Sequence, residues 1–308
     1  FHGTDAALLF GSRYLANTGT VPALAGVGEV VYSDQLAHAS IVDGCRLSRA
    51  ETRVYRHRDT EHLAWLLADA GGRGGLIVTD GIFSVDGDVA PLVELLELAR
   101  RHRVRLMVDE SHATGAIGPG GRGTVAAAGL AGEVDVVIGS LGKALGAFGA
   151  FAACGSTMAD YLANSVRTFM FSTAPAPPLA AAAVAALELI EERPELPRQL
   201  QENAAVLRGA LRAEGFEMPD SGTHLMPLAF GDPEVAMDVC ERALAGGVYA
   251  QALRPPTVPP GSSRLRLAVM ATQTPAQLTG AARVLARAAG VGPNEPERRV
   301  ENDPRTIV

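Results

Sequence analysis

The sequence is almost devoid of lysine. Of its 308 residues, 27 are Lys or Arg, and Lys143 is the one lysine among them. Arginine can replace lysine at most solvated positions, but a guanidinium group stays protonated and does not form Schiff bases. The retained lysine, in the glycine-flanked segment 140–146, therefore has two interpretations. It is a reactive amine, or a codon bias toward arginine spared one surface residue.

The sequence also lacks a run of basic residues and a long apolar run. Its formal net charge is −7, and phosphate binding needs clustered cations, so nucleic acid is not expected as the main partner. The longest apolar stretches, such as Ala180–Ile190, are too short or too rich in alanine to span a membrane, and no signal-peptide pattern is present. We therefore expect no membrane partner and a cytoplasmic location.

Cysteine is scarce as well. Cys45, Cys154 and Cys240 are far apart, odd in number and without metal-ligand spacing. This pattern argues against a disulfide framework and a cysteine-bound metal. We expect the three residues to act as small apolar side chains in a reducing compartment, and we expect no metal site.

Short apolar, β-branched runs alternate with helical patterns in the first two thirds of the chain. Several runs are almost wholly apolar, as expected for strands covered on both faces. The amphipathic segment Leu92–His102 is typical of the helices between them. The alternation predicts an α/β fold with a mostly parallel central sheet flanked by helices. The candidate strands are Leu76–Thr79, Leu106–Asp109, Val134–Ile138 and Ala150–Ala153.

From Ala180 onward the pattern changes to longer helices and fewer strands. We predict a large domain over 1–192, a small α+β domain over 193–290 and a polar tail over 291–308. The predicted elements of this part are helices at Ala180–Glu192, Leu196–Ala213, Pro233–Ala245 and Pro275–Ala289, and strands at Met226–Phe230 and Leu265–Met270.

Polar clusters follow three of the candidate strands. They are the segments 80–88, 109–115 and 139–143, which include Asp109 and Lys143. Because the carboxyl ends of parallel strands meet at one edge of a sheet, we expect these clusters to share a site. A carboxylate at the end of a buried strand is costly unless it meets a cation, and a pyridinium nitrogen would supply one.

A reactive amine and a buried acid on one sheet edge are what pyridoxal phosphate (PLP) requires. The cofactor needs a Schiff-base lysine and an acid that keeps its ring nitrogen protonated. Taken singly, each residue has an ordinary structural interpretation: Asp109 as a helix cap, His112 as a loop histidine and Ser84 as a turn residue. Their order after successive strands favours the cofactor site.

Other nucleotide and catalytic motifs fail on spacing. A P-loop needs Ser or Thr after its lysine and a glycine five residues before the second glycine, where this chain has Ala144 and Val137. The glycine-rich segment 118–123 follows no strand directly, as a dinucleotide-binding loop would. HExxH, CxxC and GxSxG motifs are absent from the sequence.

The motifs together resemble those of the α-oxoamine synthases, a family of fold-type I PLP enzymes, over a span from about Ala6 to Ala289. These enzymes condense a small amino acid with an acyl thioester and release CO2 and coenzyme A. The segment Arg254–Arg266 is most similar to the 8-amino-7-oxononanoate synthase branch, which serves biotin synthesis. The other segments that carry the resemblance are Asp34–Ser40, Thr79–Asp88, Val108–Gly115, Ser140–Lys143 and Phe171–Thr173.

The resemblance implies a cofactor role for each matched residue of the large domain. Lys143 would bond the cofactor aldehyde and move protons, and Asp109 would pair with the ring nitrogen. The remaining implied roles are ring stacking for His38, hydrogen bonds near the phenolic oxygen for His112 and Ser84, and phosphate binding for Ser140, for Thr173 of the partner subunit, and for Arg13 and Tyr14, which align with a Gly-aromatic pair.

In the small domain, the resemblance implies that Arg266 holds the carboxylate of the amino acid, a bidentate task suited to arginine. Thr257 and Arg254 would lie near the substrate. The chain departs from the family pattern at Arg13, where the family has glycine, and at Ser140, where the family has threonine.

The resemblance also implies a homodimer with a shared active site. The chain begins at Phe1 without methionine and runs almost at once into an apolar segment. We expect the N-terminal part of the family fold to be absent from this sequence.

The implied reaction joins a small L-amino acid, alanine, to pimeloyl-CoA or its carrier-protein equivalent. Alternatives within the family are aminolevulinate synthase, 2-amino-3-ketobutyrate ligase, serine palmitoyltransferase and an autoinducer synthase, which share the cofactor residues. A truncated non-catalytic subunit is an alternative from another class. Retention of Lys143, Asp109 and His112 argues against that alternative, and the missing N-terminal region argues for it.

Overall fold

The computed structural model describes residues 1–219 and 221–291. The chain divides into two compact units, the first comprising residues 1–204, 221–225 and 269–272 and the second the remaining described residues. The domain boundary placed at residue 192 from the sequence stays a prediction. The predicted polar tail lies outside the described residues, apart from Val291.

The first unit contains a seven-stranded sheet with the order β1-β7-β6-β5-β4-β2-β3. Neighbouring strands from β6 to β3 are parallel, and β7 runs antiparallel to both β6 and β1. The predicted mostly parallel sheet is therefore confirmed. The strands are β1 Ala6–Phe10, β2 Val30–Asp34, β3 Glu51–Tyr55, β4 Gly75–Asp80, β5 Arg105–Asp109, β6 Val136–Ser140 and β7 Ala150–Cys154.

Helices cover both faces of this sheet. Alternate strand residues point into two separate apolar clusters, Ile77 and Leu106 into one and Leu76 and Met107 into the other. Burial on both faces explains why these strands are almost continuously apolar. The helices of this unit are α1 Arg13–Leu24, α2 Ala39–Ser48, α3 Thr60–Asp69, α4 Leu92–His102, α5 Gly123–Ala127, α6 Ser156–Ser165, α7 Arg167–Met170 and α8 Pro177–Glu192; α9 Glu195–Ala213 begins in it.

The close packing of α1 on α2 positions polar side chains of α1 beneath the sheet edge. A Cβ atom at Gly44 of α2 would lie 2.9 Å from the carbonyl oxygen of Asn17, which is closer than real Cβ contacts allow. The serine at position 12 caps α1, its side chain accepting a hydrogen bond from the Leu15 amide at 3.1 Å. Arg13 and Asn17 are one helical turn apart and so share a face of α1.

The second unit contains a three-stranded sheet with the order β8-β10-β9. Its helices start at strong local signals: Asp232 caps α10, and Thr274 with Gln277 forms a capping box on α11. The elements of this unit are β8 Leu225–Gly231, α10 Pro233–Ala245, β9 Gln251–Leu253, β10 Ser263–Ala268 and α11 Pro275–Ala289.

Candidate active site

The sheet order brings three polar strand ends to one edge. The strands β4, β5 and β6 are adjacent and parallel, and they end at Asp80, Asp109 and Ser140. Asp80 lies directly beside Asp109 in the register of β4 and β5. The carboxyl edge predicted to carry the site therefore presents two neighbouring carboxylates and a hydroxyl.

Asp109 is fully buried and surrounded by donors. Its Oδ2 atom accepts from Nε of Arg13 at 2.6 Å and from Nδ2 of Asn17 at 2.6 Å, and its Oδ1 atom accepts from the Ser111 amide at 2.9 Å. Burial works to raise the pKa of Asp109, but the charge of Arg13 and these hydrogen bonds outweigh it and hold that pKa well below its usual range. The carboxyl group is therefore ionised at neutral pH.

Asp80 is the second buried carboxyl group of the cluster, and the sequence patterns did not single it out. It accepts from the other arm of the Arg13 guanidinium and, at 3.0 Å, from the His38 amide. Burial raises the pKa of Asp80, the Arg13 charge opposes this, and the charge of Asp109 adds to it. Two buried carboxyl groups thus share one guanidinium.

A chain of hydrogen bonds leads from Asp109 to His38. Nδ2 of Asn17 also donates to Oγ of Ser40 at 2.9 Å, and Oγ of Ser40 lies 2.7 Å from Nδ1 of His38. Burial lowers the pKa of His38 to about 4, with the charges of Arg13 and Lys143 acting in the same direction. The imidazole is therefore neutral at pH 7, and its stacking on the cofactor ring stays a prediction.

Lys143 lies in a tight loop that follows β6. Leu141 and Gly149 close this loop through an amide-to-carbonyl hydrogen bond of 2.9 Å, and the Gly146 amide donates to the Lys143 carbonyl at 3.0 Å. Gly149 has a φ of +102°, and a Cβ there would lie 2.6 Å from the carbonyl oxygen of Phe10. Lys143 itself is exposed. Because its charge helps to lower the pKa of His38, the amine acts on the same site as Asp109.

Glu110 fixes the segment that follows Asp109. It is fully buried and accepts from the Thr124 and Val125 amides at 2.9 and 2.6 Å and from the Thr124 hydroxyl at 2.7 Å. Burial raises the pKa of Glu110 against these hydrogen bonds. Gly81 leaves no room for a side chain here, since a Cβ would lie 2.4 Å from Oγ1 of Thr124. The carboxyl group ties the start of α5 to the end of β5.

The other residues expected at the cofactor occupy the surrounding loops. Ser84 and His112 are half-buried in the segments after β4 and β5. Tyr14 is exposed, and its hydroxyl donates to Asp43. Thr173 is exposed in the segment between α7 and α8. Their cofactor roles stay predictions.

The three residues expected near the substrate lie together in the second unit. Arg254 and Thr257 line a cleft of about 500 Å³, which Gln251 also lines. Arg266, on β10, donates to Oε1 of Gln251 at 2.8 Å, and burial lowers its pKa. Arg266 is thus connected through Gln251 to the cleft that Arg254 and Thr257 line, and the substrate roles of these residues stay predictions.

The cysteines take no part in this chemistry. Cys45 and Cys154 are buried, and burial raises the pKa of the Cys45 thiol to about 11. Within 1–219 and 221–291, His, Cys, Asp and Glu side chains form no group that could hold a metal ion. In the same described part of the chain, no helix is long and apolar enough to cross a membrane.

His57 bridges two carboxylates beside the site. This arrangement predicts that the stability of the protein depends on pH. Its Nδ1 lies 2.8 Å from Asp34 and its Nε2 lies 2.7 Å from Asp88, which also pairs with Arg58; the ring meets Phe83 edge-on at 4.5 Å. Burial works to lower the pKa of His57, but the two carboxylates outweigh it and raise that pKa to about 9.

A histidine whose pKa is higher in the folded state than in the unfolded state stabilises the folded protein. This stabilisation is complete below the pKa of the unfolded state, about 6.5, and is lost as the pH rises through the pKa of the folded state. We expect the free energy of unfolding to fall by roughly 2 kcal/mol between pH 6.5 and 9 in wild type. His57→Gln should flatten this slope, and Asp88→Asn should give an intermediate one. Urea unfolding at several pH values measures the free energy of unfolding. If plots of this free energy against pH run parallel for wild type and His57→Gln, the raised pKa assigned to His57 is wrong.

The sequence patterns did not indicate roles for Asp80 and Asn17, and they did not show which carboxyl groups Arg13 contacts. Asp80 ends a wholly buried strand just as Asp109 does, so the same signal was present. Asn17 follows Arg13 by one helical turn, but nothing in the sequence shows which sheet edge that face of α1 meets. The contacts of Arg13 with Asp109 and Asp80 span 96 and 67 residues of chain, so only the three-dimensional structure shows them.

Comparison with known proteins supports the predicted fold and family. A family model described as aminotransferase class I and II matches residues 1–285. The 8-amino-7-oxononanoate synthase of Citrifermentans bemidjiense is 47% identical over 288 residues, covering 92% of this chain and 74% of that protein. The enzyme of the same name from Geobacter sulfurreducens is 48% identical over 290 residues, covering 93% and 74%.

Solved structures agree with the fold. A serine palmitoyltransferase from S. paucimobilis with a bound PLP–myriocin aldimine superimposes with a TM-score of 0.90 at 33% identity, covering 94% of this chain and 73% of that one. An 8-amino-7-oxononanoate synthase from Francisella tularensis gives 0.81 at 24% identity, covering 94% and 84%, and shows likeness of fold. With the matched family model extending over most of its length, the chain belongs to the aminotransferase class I and II family.

Proposed function

We propose that this protein is a cytoplasmic PLP-dependent acyltransferase that makes 8-amino-7-oxononanoate for biotin synthesis from L-alanine and a pimeloyl thioester. The observation that carries the proposal is the position of the one lysine. Lys143 stands on the same sheet edge as the buried Asp109, in a chain that is 47–48% identical to proteins named 8-amino-7-oxononanoate synthase. The choice of product follows those relatives.

The residues of the sheet edge fit the cofactor. Asp109 offers a buried, ionised carboxylate, of which Oδ1 accepts one hydrogen bond and retains acceptor capacity. Because its pKa is held below its usual range, the Asp109 carboxylate can pair with a cation such as a protonated pyridine nitrogen. His38 is neutral, and Lys143 carries the one ε-amine of the chain.

When bound, pyridoxal phosphate serves as an electron sink for the carbanion at the α-carbon of the amino acid. Lys143 would hold the cofactor through its ε-amine, and its Nζ would take the α-proton of the amino acid and return a proton to the product. Asp109 would keep the ring nitrogen protonated through its negative charge. Arg266 would hold the substrate carboxylate until that group leaves as CO2.

The overall reaction balances without an oxidant. The α-carbon of alanine gives up its proton and forms a carbon–carbon bond with the acyl carbonyl, and the thioester carbon–sulfur bond breaks to release the thiolate. The bond from the α-carbon to the carboxylate then breaks, and a proton takes its place. Lys143 is the group placed to hold that proton.

The substrate choice is tested with a panel of purified components. Alanine, glycine and serine are each combined with pimeloyl-, palmitoyl-, succinyl- and acetyl-CoA, and the amino ketone products are identified by mass spectrometry. We expect alanine with pimeloyl-CoA to give a kcat/KM at least about tenfold above every other pair. The serine palmitoyltransferase structures at TM-score 0.90 make serine with palmitoyl-CoA the main competing pair. A preference for that pair would overturn the proposed product.

We further propose that two copies of the chain share each active site. Large apolar side chains are exposed in the segments that flank the site, including Phe148, Met170 and Phe171. Such exposure next to a catalytic edge favours an isologous interface. In this arrangement, Thr173 of the partner subunit reaches the cofactor phosphate bound beside Lys143.

A complementation experiment tests this sharing. Lys143→Ala should be inactive, and Thr173→Asp should be inactive because its carboxylate repels the phosphate. Mixed after unfolding and refolded together, the two variants should regain about a quarter of the wild-type sites, since half of the dimers are hybrids with one intact site. Recovery of no activity in a mixture that contains hybrid dimers by mass would contradict the shared site.

A further inference from the structure

The hydrogen bonds that join Asp109 to His38 have a fixed direction, which starts at the carboxylate. An ionised carboxylate only accepts hydrogen bonds, so Asn17, at 2.6 Å, must turn its Nδ2 amide group and not its Oδ1 toward Asp109. The same Nδ2 carries a second hydrogen, which it donates to Oγ of Ser40 at 2.9 Å. The charge of Asp109 therefore fixes the orientation of the Asn17 side chain.

Ser40 carries this direction on to the imidazole ring. Its Oγ accepts from Asn17, and a hydroxyl group has one hydrogen of its own to donate. That hydrogen is available for the contact of 2.7 Å between Oγ and Nδ1 of His38. Asn17 and Ser40 are both fully buried, so bulk water does not compete for these hydrogens. The ring nitrogen Nδ1 is therefore the acceptor at the end of the chain of hydrogen bonds.

The backbone of α2 points independently to the same direction. His38 is the N-cap residue of α2, and its Nδ1 accepts from the Ser40 amide at 3.3 Å. A backbone amide nitrogen only donates, so Nδ1 faces two donors and carries no hydrogen in this arrangement. Burial and the charges of Arg13 and Lys143 lower the pKa of His38 to about 4 against the charge of Asp109, so the ring is neutral. A neutral ring with a bare Nδ1 has its one hydrogen on Nε2.

We propose that Asn17 and Ser40 are positioning residues that act through His38, fixing its imidazole as the Nε2–H tautomer and holding the ring in one orientation. This role rests on the proposed function for one point, the placement of His38 against the cofactor ring. A charged imidazolium there would repel a protonated ring nitrogen, whereas the neutral tautomer adds no charge. With Nδ1 engaged by Ser40, the ring offers its surroundings a donor at Nε2.

The tautomer is measured by 15N NMR of the imidazole nitrogens in the full chain labelled with 15N-histidine, at pH 7, with and without pyridoxal phosphate. The chain has 7 histidines, so His38→Gln is used to assign the His38 signals. We expect a protonated Nε2 and an unprotonated Nδ1 in both samples. A His38 ring with its hydrogen on Nδ1, or with both nitrogens protonated, would overturn the inference.

Ser40→Ala removes the hydroxyl that donates to Nδ1, so the ratio of the Nε2–H to the Nδ1–H form should fall about tenfold, as the loss of one hydrogen bond implies. Asn17→Leu, which leaves the hydroxyl without its amide donor, should give an intermediate ratio. Ser48→Ala is the matched control, because Ser48 is also buried in α2 but donates to the Cys45 carbonyl at 2.6 Å. It should leave the ratio unchanged, although it too loses a buried hydroxyl.

The outcomes separate this inference from the proposed function. A wild-type ratio in Ser40→Ala or in Asn17→Leu would overturn the role assigned to that residue. If Ser40→Ala does not fold, Ser40→Cys, which is of similar size and a weaker donor, is measured with the same outcomes. A chain that binds no pyridoxal phosphate overturns the proposed function alone, because the tautomer is read from the protein itself. A chain that binds the cofactor but carries its His38 hydrogen on Nδ1 overturns the inference alone.

Discussion

Replacing Lys143 with alanine should lower kcat/KM by at least about 10⁴-fold, because the reaction loses both its cofactor anchor and its proton carrier. The same variant should lose the borohydride-reducible adduct and its absorbance band near the visible edge of the ultraviolet. Lys143 is exposed in a loop held by backbone hydrogen bonds, so the change should leave the melting temperature of the cofactor-free protein nearly unaltered. Steady-state kinetics and absorbance spectra of the two proteins measure these effects.

Lys143→Arg is the matched control for charge. Arginine keeps the positive charge and most of the side-chain length but provides no deprotonatable amine. We expect it to be as inactive as Lys143→Ala. An arginine variant with more than about a tenth of wild-type activity would show that Lys143 acts only through its charge, which would contradict the assigned chemistry.

Replacing Asp109 with asparagine should lower kcat by at least about 100-fold and weaken cofactor retention. Asparagine has nearly the same shape, but its neutral amide cannot keep a ring nitrogen protonated. Asp109 is fully buried, so solvent cannot supply the missing charge. Kinetics at saturating pyridoxal phosphate separate the loss in kcat from the loss in cofactor affinity.

Asp34→Asn supplies the matched control for this change. Asp34 is also a buried carboxylate at the end of a parallel strand, but it binds His57 rather than Arg13. The substitution should lower the free energy of unfolding while cofactor affinity stays within about twofold of wild type. An Asp109→Asn enzyme that retains a kcat within about threefold of wild type would remove Asp109 from the mechanism.

The strands β4, β5 and β6 could be predicted from the sequence because they are buried on both faces, whereas β2 is buried along its whole length and was not assigned. The strand predicted at Leu76–Thr79 lies within β4, and the helix predicted at Leu92–His102 has the bounds of α4. The outer strand β3, Glu51–Tyr55, carries charged side chains and was not assigned, because an edge strand needs no continuous apolar run. β7 pairs antiparallel with β6 across the short connection 141–149 and with the sequence-distant β1, and periodicity encodes the direction of neither pairing.

The chemistry of the site was easier to predict than its internal contacts. Residue type alone marks Lys143, since no other side chain of this chain offers an ε-amine. Its position after a buried strand marks Asp109. The pairing of Arg13 with both carboxylates could not be predicted, because it depends on the angle at which α1 meets the sheet edge. The sequence resemblance implies a phosphate-binding role for Arg13, and that role stays a prediction.

Peptide mapping after borohydride reduction tests the central claim most directly. The chain has one ε-amino group, so the site of a reduced adduct identifies the reactive amine without a competing lysine. Purified protein is loaded with pyridoxal phosphate, reduced, digested and analysed by mass spectrometry. We predict one phosphopyridoxyl group per chain, on Lys143. A protein that carries no adduct, or carries it only on the α-amino group of Phe1, would contradict the assignment of Lys143 as the residue that holds the cofactor.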